Sequence, residues 1–466
     1  MAESLQLYST LSRKVEPLQT IEPGVVRMYV CGVTPYDNAH IGHAMSAIVF
    51  DMIRRYLEHA EYTVRHVVNF TDIDDKIIVR AQREGVSASD LTEKLIGDFH
   101  REREALGVLA ATAYPQATHE IPAIVTMIKG LMEKGHAYEA DGDVYFRVRT
   151  FDEYGKLSGR KVDDMVSGAR IEIDERKEDP LDFALWKAAK PGEPTWPSPW
   201  SDGRPGWHIE CSAMCSHHLD GQVDIHGGGT DLIFPHHENE IAQSEAFLGV
   251  EPFSRYWLHN GMLQLGGDKM SKSIGNVIRI KDLIEGKKTQ AFRLMVLQSH
   301  YRAPLTFSEE SLDAAGRGLD RLLQAARPDT HARQSVLDTG LTLTVQQASS
   351  EFHTAMNDDF NSPAAIASLF DMARSINRAR DDGAGLDELE LGRTKLIELG
   401  GVLGLDLELD NASAGDAAPF IDLLVQIRDR LRAEKQWTLS DLIRDELAER
   451  GITIADGSQG STWQAS

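Results

Sequence analysis

The residues with the most chemistry in them fall into two groups. In the first, Cys31 and Cys211 offer thiolates, and Phe234-Pro235-His236-His237-Glu238-Asn239-Glu240 offers imidazoles and carboxylates. Pro235 suits a helix start, and His236 and Glu240, four apart, would then share one helix face. Cys31, Cys211, His236 and Glu240 make a thiolate, thiolate, imidazole, carboxylate set of the kind that suits Zn2+. The competing reading is coincidence, because buried cysteines are common and usually inert.

The second group suits phosphate. His40-Ile41-Gly42-His43 closes a loop and opens a predicted helix, and helix N-termini present N–H groups and positive partial charge on which anions settle. Two imidazoles one turn apart could steady charge building on a phosphate, and Gly42 between them would let a flat base approach the backbone. A pair of surface histidines near a helix cap would look the same. Further on, Lys269-Met270-Ser271-Lys272-Ser273 follows Gly266-Gly267-Asp268. Lysines three apart in a glycine-flanked loop could clamp a polyphosphate, and a solvated basic turn is the alternative. No G-x-x-x-x-G-K-[ST] string occurs, which excludes a P-loop enzyme.

These residues need a scaffold. Val25 to Cys31 reads as a strand, Ile41 to about Glu61 as a helix with Ile48, Ile53, Tyr56 and Leu57 at helical spacing, and Thr63 to Phe70 as a second strand. Strand, helix, strand is a βαβ unit, which predicts a parallel sheet with ligands at the carboxyl ends of its strands. Cys31 and the loop Asn69-Phe70-Thr71-Asp72 both lie at such ends. At least two of the acids in Asp72-Ile73-Asp74-Asp75 are expected to cap helices. From Tyr114 to Trp200 the texture changes to helix, short strands and a Pro/Trp stretch, read as an insertion, and beyond Ser308 the chain looks helical. There Ser362 as N-cap and Pro363 at the first helical position open a helix with Ile366, Leu369, Phe370, Ala373 and Ile376 on one face. A small polar linker, Asp410 to Pro419, precedes the last unit.

Composition bounds the rest. With 466 residues, 42% hydrophobic and 26% charged, the prior is about three soluble domains. No apolar run is long enough for a membrane span, and Met1 to Pro17 lacks a signal-peptide core, so a cytoplasmic protein is expected. Three cysteines are too few for a disulfide scaffold and enough for a metal site. The net charge of −23 argues against indiscriminate binding to nucleic acid. Any RNA contact must come from local basic patches. One lies near the end, where Arg428, Arg430, Arg432 and Lys435 precede Trp437. Arginine planes and aromatic rings are what splayed RNA bases stack on, although a solvated helix face is the plainer reading.

The H-I-G-H and K-M-S-K-S strings, in this order on a βαβ scaffold, resemble the signatures of class I aminoacyl-tRNA synthetases. The resemblance implies that His40 and His43 stabilise the transition state, that Lys269 and Lys272 hold phosphates, and that Gly42 and Ser271 lie in the ATP site, with Mg2+ accompanying ATP. The strings MYVCG, GWHIECS and HGGGTDLIFPHHENEIAQ resemble the cysteine-specific branch, the cysteinyl-tRNA synthetases. There the positions matching Cys31, Cys211, His236 and Glu240 bind one zinc that takes the substrate thiolate. Cys215 matches no ligand position and is read as packing. Four protein ligands usually mean a closed structural zinc, so the family reading needs expansion to five-coordination or loosening of one ligand, with Glu240 the first candidate.

By the same matching Trp207 is a wall of the amino-acid pocket, a core aromatic being the alternative. Thr71 could touch the amino acid, and His226 and Asp231 could hold its ammonium. The implied fold is an α/β Rossmann-like catalytic domain with a parallel sheet, an inserted connective domain, a C-terminal α-helical bundle and a small anticodon-binding unit. The expected divisions are 1–113 and 201–265 for the two catalytic halves, 114–200 for the insertion and 266–307 for the lysine loop and stem-contact region. The bundle would span 308–409, and the terminal unit 420–466. ATP, L-cysteine and tRNA-Cys are the implied partners, and a monomer is expected.

A related enzyme, the cysteine ligase of mycothiol synthesis, resembles the catalytic half but lacks the full anticodon module, so residues 420–466 speak against it. A zinc hydrolase would leave the lysine loop unexplained, and its H-E-x-x-H motif is absent. A non-catalytic RNA-binding module is disfavoured because both nucleotide motifs are intact.

Overall fold

β-Branched and aromatic residues carry the first strand of the central sheet, β1 (Val25–Val33), in the computed structural model. The structure describes residues 5–163, 165, 175–266, 268–269, 278–329, 339–408, 418–457 and 460–465. From β1 the chain enters α1 (Ile41–His59), whose residues Ile48, Ile53, Tyr56 and Leu57 are buried as their spacing predicts. The helix stops two residues short of the expected end because Glu61 takes a left-handed φ of 67°. The chain then returns as β2 (Thr63–Phe70).

After the insertion come α2 (Trp207–His218), β3 (Val223–Gly229), α3 (Glu238–Leu248) and β4 (Ser254–Asn260). The four strands form one sheet in the order β4-β3-β1-β2, every pair parallel. Strand order reverses between β1 and β3, so their carboxyl ends flank a switch-point crevice of the kind where ligands bind in open α/β sheets.

At that crevice β1 and β2 separate, and their register shifts between Val30 and Val33. A Cβ at Gly32 would overlap the carbonyl oxygen of Asn69, so only glycine fits. The Asn69 side chain takes over the pairing by accepting the Gly32 N–H at 2.9 Å. This local break sets the position of the neighbouring Cys31.

The insertion contains a helix, Ile121–Glu133, and an antiparallel sheet of Ala137–Ala140, Asp143–Phe146, Phe183–Ala188 and Gly203–Pro205. Its last strand lies beyond the expected boundary at 200, with Trp186 opposite Pro205 and Ala188 opposite Gly203. Ile209 and Ala213 of α2 and Ala242 of α3 pack into the same core as Trp186 and Phe146, so the insertion rests directly on the helices that carry the site.

The chain divides into two compact units, one of residues 1–319, 351–366 and 402–405, the other of 320–350, 367–401 and 406–466. The expected bundle boundary at 308 is therefore displaced, since 308–319 and two later segments belong with the sheet. The helix Ser362–Asp381, whose first turn falls in the first unit, is capped one residue earlier than expected. Asn361 Oδ1 accepts the Ala364 N–H at 3.2 Å, while the Ser362 hydroxyl is buried without a hydrogen-bond partner. Pro363 is consequently the second helical residue. In the second unit Leu369, Ala373 and Ile376 are buried, and the chain ends in two helices, Ala418–Ala433 and Trp437–Glu449, and a hairpin of Ile452–Gly457 with Gly460–Ala465. Ala418 and Pro419 thus fall inside a helix, and residues 410–417 of the expected linker lie outside the described residues.

One buried ion pair ties the sheet domain together. Asp51 on α1 accepts from Arg293 at 2.7 Å and Arg55 at 2.8 Å, and Arg293 also donates to the Leu106 carbonyl at 3.1 Å. Burial disfavours the Asp51 carboxylate, but the two guanidiniums outweigh it and hold the group below its usual range. Asp51→Asn leaves Arg293 as an uncompensated buried charge, with an expected loss of about 3–5 kcal/mol. This is read as an earlier denaturant midpoint, and a loss under ~1 kcal/mol would contradict it. Because the folded carboxyl titrates below the unfolded one, the wild-type contribution is full above the unfolded value of about 4 and fades as pH falls through the folded value. The variant should lack that part of the acid slope.

Candidate active site

Three elements deliver the four expected metal ligands to the switch-point crevice. Cys31 sits near the carboxyl end of β1, Cys211 one turn into α2, and His236 and Glu240 on the turn before α3 and its first turn. Regular helix begins only at Glu238, so Pro235 belongs to the irregular turn Ile233–His237 rather than to a helix start. The i, i+4 contact survives, with His236 Nε2 3.0 Å from Glu240 Oε1. Cys31 Sγ lies 3.3 Å from Glu240 Oε1 and 3.7 Å from His236 Nε2, and one donor atom from each of the four residues falls within 4.8 Å of the others. Donors around a tetrahedral zinc at 2.0–2.3 Å stand roughly 3.3–3.8 Å apart. The observed spacing is close to that.

The electrostatics explain why such a set is unusual without a cation. Burial pushes the Cys31 thiol up, and Cys31 hydrogen-bonds Cys211, whose thiol is brought down to about 6 against its own burial. Burial also works against Glu240, but His226 and His236 hold its carboxylate well below the usual range. Burial would keep His236 neutral, yet the neighbouring Cys211 and Glu240 charges raise it to about 10. Without a metal, an imidazolium, a thiolate, a carboxylate and a second thiol thus share one shielded site, where a single protonated ring faces two negative charges and each buried charge costs several kcal/mol unless neutralised. A divalent cation fits that donor set.

A shell of residues that the sequence reading missed surrounds these four, and two of its members, His226 and His237, form a second buried donor set with Cys31 and Glu240. His208 Nδ1 lies 2.9 Å from His236 Nδ1, and Gln243 Nε2 donates to the His208 carbonyl at 3.0 Å. His237 contacts His259 at 2.8 Å, and His259 contacts the Thr10 hydroxyl at 2.8 Å. His226, expected to hold the amino acid's ammonium, is fully buried, stacked on Trp257 at 4.3 Å, with Nε2 3.5 Å from Cys31 Sγ and 3.4 Å from Glu240 Oε2. It faces the ligands themselves. Asn69 Nδ2 donates to Cys211 Sγ at 3.5 Å and lies 3.5 Å from the Thr71 hydroxyl. Cys215 is buried in the neighbouring core, as packing requires.

Trp207 is 38% exposed, and its ring stacks on His236 at 4.2 Å, so it covers the cluster instead of filling a core. Asp231 is exposed on the turn just past β3. Of the acids at 72–75, Asp74 caps the helix Asp75–Glu84 through the Lys76 N–H. Asp72 instead holds the Thr118 N–H at 2.9 Å, and Asp75 pairs with Arg204 and Lys187. They fasten the insertion to the loop after β2, so the expectation of two caps fails.

The histidine pair lies at the start of α1. His40 Nδ1 accepts the Gly42 N–H at 3.1 Å and His43 Nδ1 accepts the His40 N–H at 3.2 Å, with the rings stacked 3.8 Å apart. Because each Nδ1 is an acceptor, the proton of each neutral ring sits on Nε2. The strand Asp268–Lys269 pairs with Leu263–Leu265, placing the Lys269 backbone at the mouth of the lysine loop. Ser271 and Lys272 lie outside the described residues. Where the chain resumes, the Ile41 N–H donates to Ile278 O at 3.1 Å and His40 bridges Arg279. The start of α1 is therefore tied to residues 278 and 279.

A known family, described as tRNA synthetases class I (C) catalytic domain, matches residues 17–317, and a DALR domain matches residues 351–408. A cysteine--tRNA ligase of Dehalococcoides mccartyi is 51% identical over 462 residues, covering 99% of each chain. The chain belongs to the cysteine--tRNA ligase family. The cysteine--tRNA ligase of Alkalilimnicola ehrlichii is 50% identical over 470 residues, again with 99% of each chain covered. Among solved structures, Mycobacterium tuberculosis methionyl-tRNA synthetase in complex with methionyl-adenylate aligns with TM-score 0.61 at 16% identity, covering 81% of this chain and 89% of that one. That likeness is one of fold.

The terminal unit, read from the sequence as the family's RNA-contacting end, corrects one expectation. Arg428 is 1% exposed, and its guanidinium grips Asp456 at 2.5 and 3.1 Å and the Ser461 hydroxyl at 2.9 Å. It fastens helix to hairpin and has no face left for RNA. Arg432 pairs with the same aspartate, whereas Arg430 and Trp437 are exposed. Among the residues packed around the cluster, His208 is the most direct to test. His208→Ala is expected to weaken metal affinity about 10–100-fold by chelator competition. An unchanged affinity would contradict its role as orienter of His236.

Proposed function

We propose that this chain attaches cysteine to tRNA-Cys in two steps, as a cytoplasmic monomer. The amino acid's carboxylate displaces pyrophosphate from ATP, and the aminoacyl group then passes to the ribose of the tRNA's 3′-terminal adenosine as AMP leaves. The observation that carries this reading is the buried cluster of Cys31, Cys211, His236 and Glu240 at the sheet's switch point, with Trp207 stacked above it. These four residues would hold zinc, which when bound supplies a soft Lewis acid that prefers a thiolate to a serine hydroxyl. Shape alone separates near-isosteres only ~10–200-fold.

The chain's own residues do the rest. Trp207 walls the amino-acid pocket, Thr71 borders it, and Asp231 attracts the ammonium by charge, while His226 orients Glu240 and Cys31. His40 and His43 present Nε2–H donors to the charge that grows on the α-phosphate, a kind of stabilisation that costs no reorganisation at the moment of reaction. Lys269 and Lys272 neutralise the departing pyrophosphate, Gly42 and Ser271 line the nucleotide site, and Mg2+ enters as the counter-ion of ATP. Arg430, Arg432 and Trp437 remain for stacking and pairing with RNA bases.

Purified, metal-loaded protein is expected to exchange labelled pyrophosphate into ATP only when cysteine is present, and to lose this on metal removal while remaining folded by circular dichroism. Labelled cysteine should appear on tRNA-Cys and not on a glucosaminyl-inositol acceptor. Metal-free, folded protein that still prefers cysteine to serine would defeat the selection argument, and label on the amino sugar alone would defeat the tRNA assignment.

A further inference from the structure

Away from the crevice, α2 ends in two consecutive histidines, and both reach the same carboxylate. His217 Nδ1 lies 2.6 Å from Glu120 Oε2, and His218 Nε2 lies 2.9 Å from Glu120 Oε1. Neighbouring positions on a helix point about 100° apart, so a shared partner requires the two rings to turn toward each other; their centroids are 5.0 Å apart. All three side chains offer a donor atom within 4.8 Å of the other two.

The donors stand on fixed supports. Glu120 is held at the junction before the helix Ile121–Glu133, where its carbonyl accepts the Ile124 N–H at 3.0 Å and its own N–H donates to Ala117 O at 3.1 Å. Arg65 grips the other side, donating to the His218 carbonyl at 2.9 Å and to Asp220 at 2.6 Å. The Glu120 carboxylate and the His218 ring are partly buried, and His217 is open to solvent. This differs from the acidic trio Glu153, Glu245 and Glu251, which Lys156 already occupies with contacts of 2.6–3.0 Å.

We propose that Glu120, His217 and His218 form a second divalent-metal site, of the two-imidazole, one-carboxylate type that zinc accepts with water in its remaining position. Cys211 and His217 are six residues apart on α2, about 9 Å along its axis, so this site is separate from the thiolate cluster. To bind, each ring moves its proton to the other nitrogen, and the nitrogen now facing the carboxylate turns its lone pair to the ion. No net proton is exchanged by a neutral ring. To reach the roughly 3.3 Å spacing of zinc donors, the 2.6 Å contact of His217 must open by about 0.7 Å and the 2.9 Å contact of His218 by about 0.4 Å, and the larger movement falls on the exposed His217 side chain. The bound ion would clip the end of the helix that carries Trp207 and Cys211 to the start of the insertion's first helix.

The test uses the full-length protein dialysed against zinc, with bound metal counted per chain. Wild type is expected to retain one equivalent more than the His217→Gln/His218→Gln variant, and to unfold at a higher temperature once that extra equivalent is bound. The variant should keep its cysteine-dependent pyrophosphate exchange. Conversely, Cys211→Ser should lose the buried equivalent and keep the surface one. Equal zinc content in wild type and the double-histidine variant would overturn the proposal, whether both hold one equivalent or both hold two.

Discussion

Placing two thiols, a carboxylate and an imidazole together in a site largely closed to water is the constraint on which the architecture turns. Left unneutralised, such a cluster costs several kcal/mol per charge, so the surrounding chain must hold it and something must balance it. The supports are specific. His208 fixes the far nitrogen of His236, His226 faces both Cys31 and Glu240, and a chain runs from His237 through His259 to Thr10. Metal-ligating residues generally depend on partners of this kind for orientation.

The same crevice brings together residues that are far apart in sequence. Gly32 lets β1 leave β2, and the Asn69 side chain serves both that opening, through the Gly32 N–H, and the cluster, through Cys211. The start of α1 is tied in by another route, since the Ile41 N–H donates to the Ile278 carbonyl and His40 bridges Arg279. The insertion, fastened by Asp72 to Thr118 and by Asp75 to Arg204, packs on α2 and α3 and so braces the elements that carry Cys211 and Glu240.

Much of this was readable in the residues because the relevant signals are local. The βαβ unit shows in β-branched strands around an amphipathic helix, and the side-chain types of Cys31, Cys211, His236 and Glu240 mark out the donors that the fold gathers at the crevice. What escaped depends on tertiary context. His208, His237 and His259 look like any polar residue within a buried helix or strand until their neighbours are known. Arg428 was read as an RNA contact by its charge, yet it lies three and seven residues after the buried Val425 and Ile421, a spacing that marks the helix's inner face. Asn361 and Ser362 are both good caps, and sequence alone does not separate adjacent ones. The strand Gly203–Pro205 carries almost no strand propensity and forms only because Phe183–Ala188 offers an edge.

A metal held in the buried cluster, as proposed, would distinguish sulfur from oxygen in the incoming amino acid. The most direct measurement replaces the native metal with cobalt and records the near-ultraviolet spectrum as cysteine or serine is added. A new sulfur-to-cobalt charge-transfer band is expected on saturation with cysteine and no such band with serine. A spectrum that cysteine leaves unchanged at saturation would contradict the proposal.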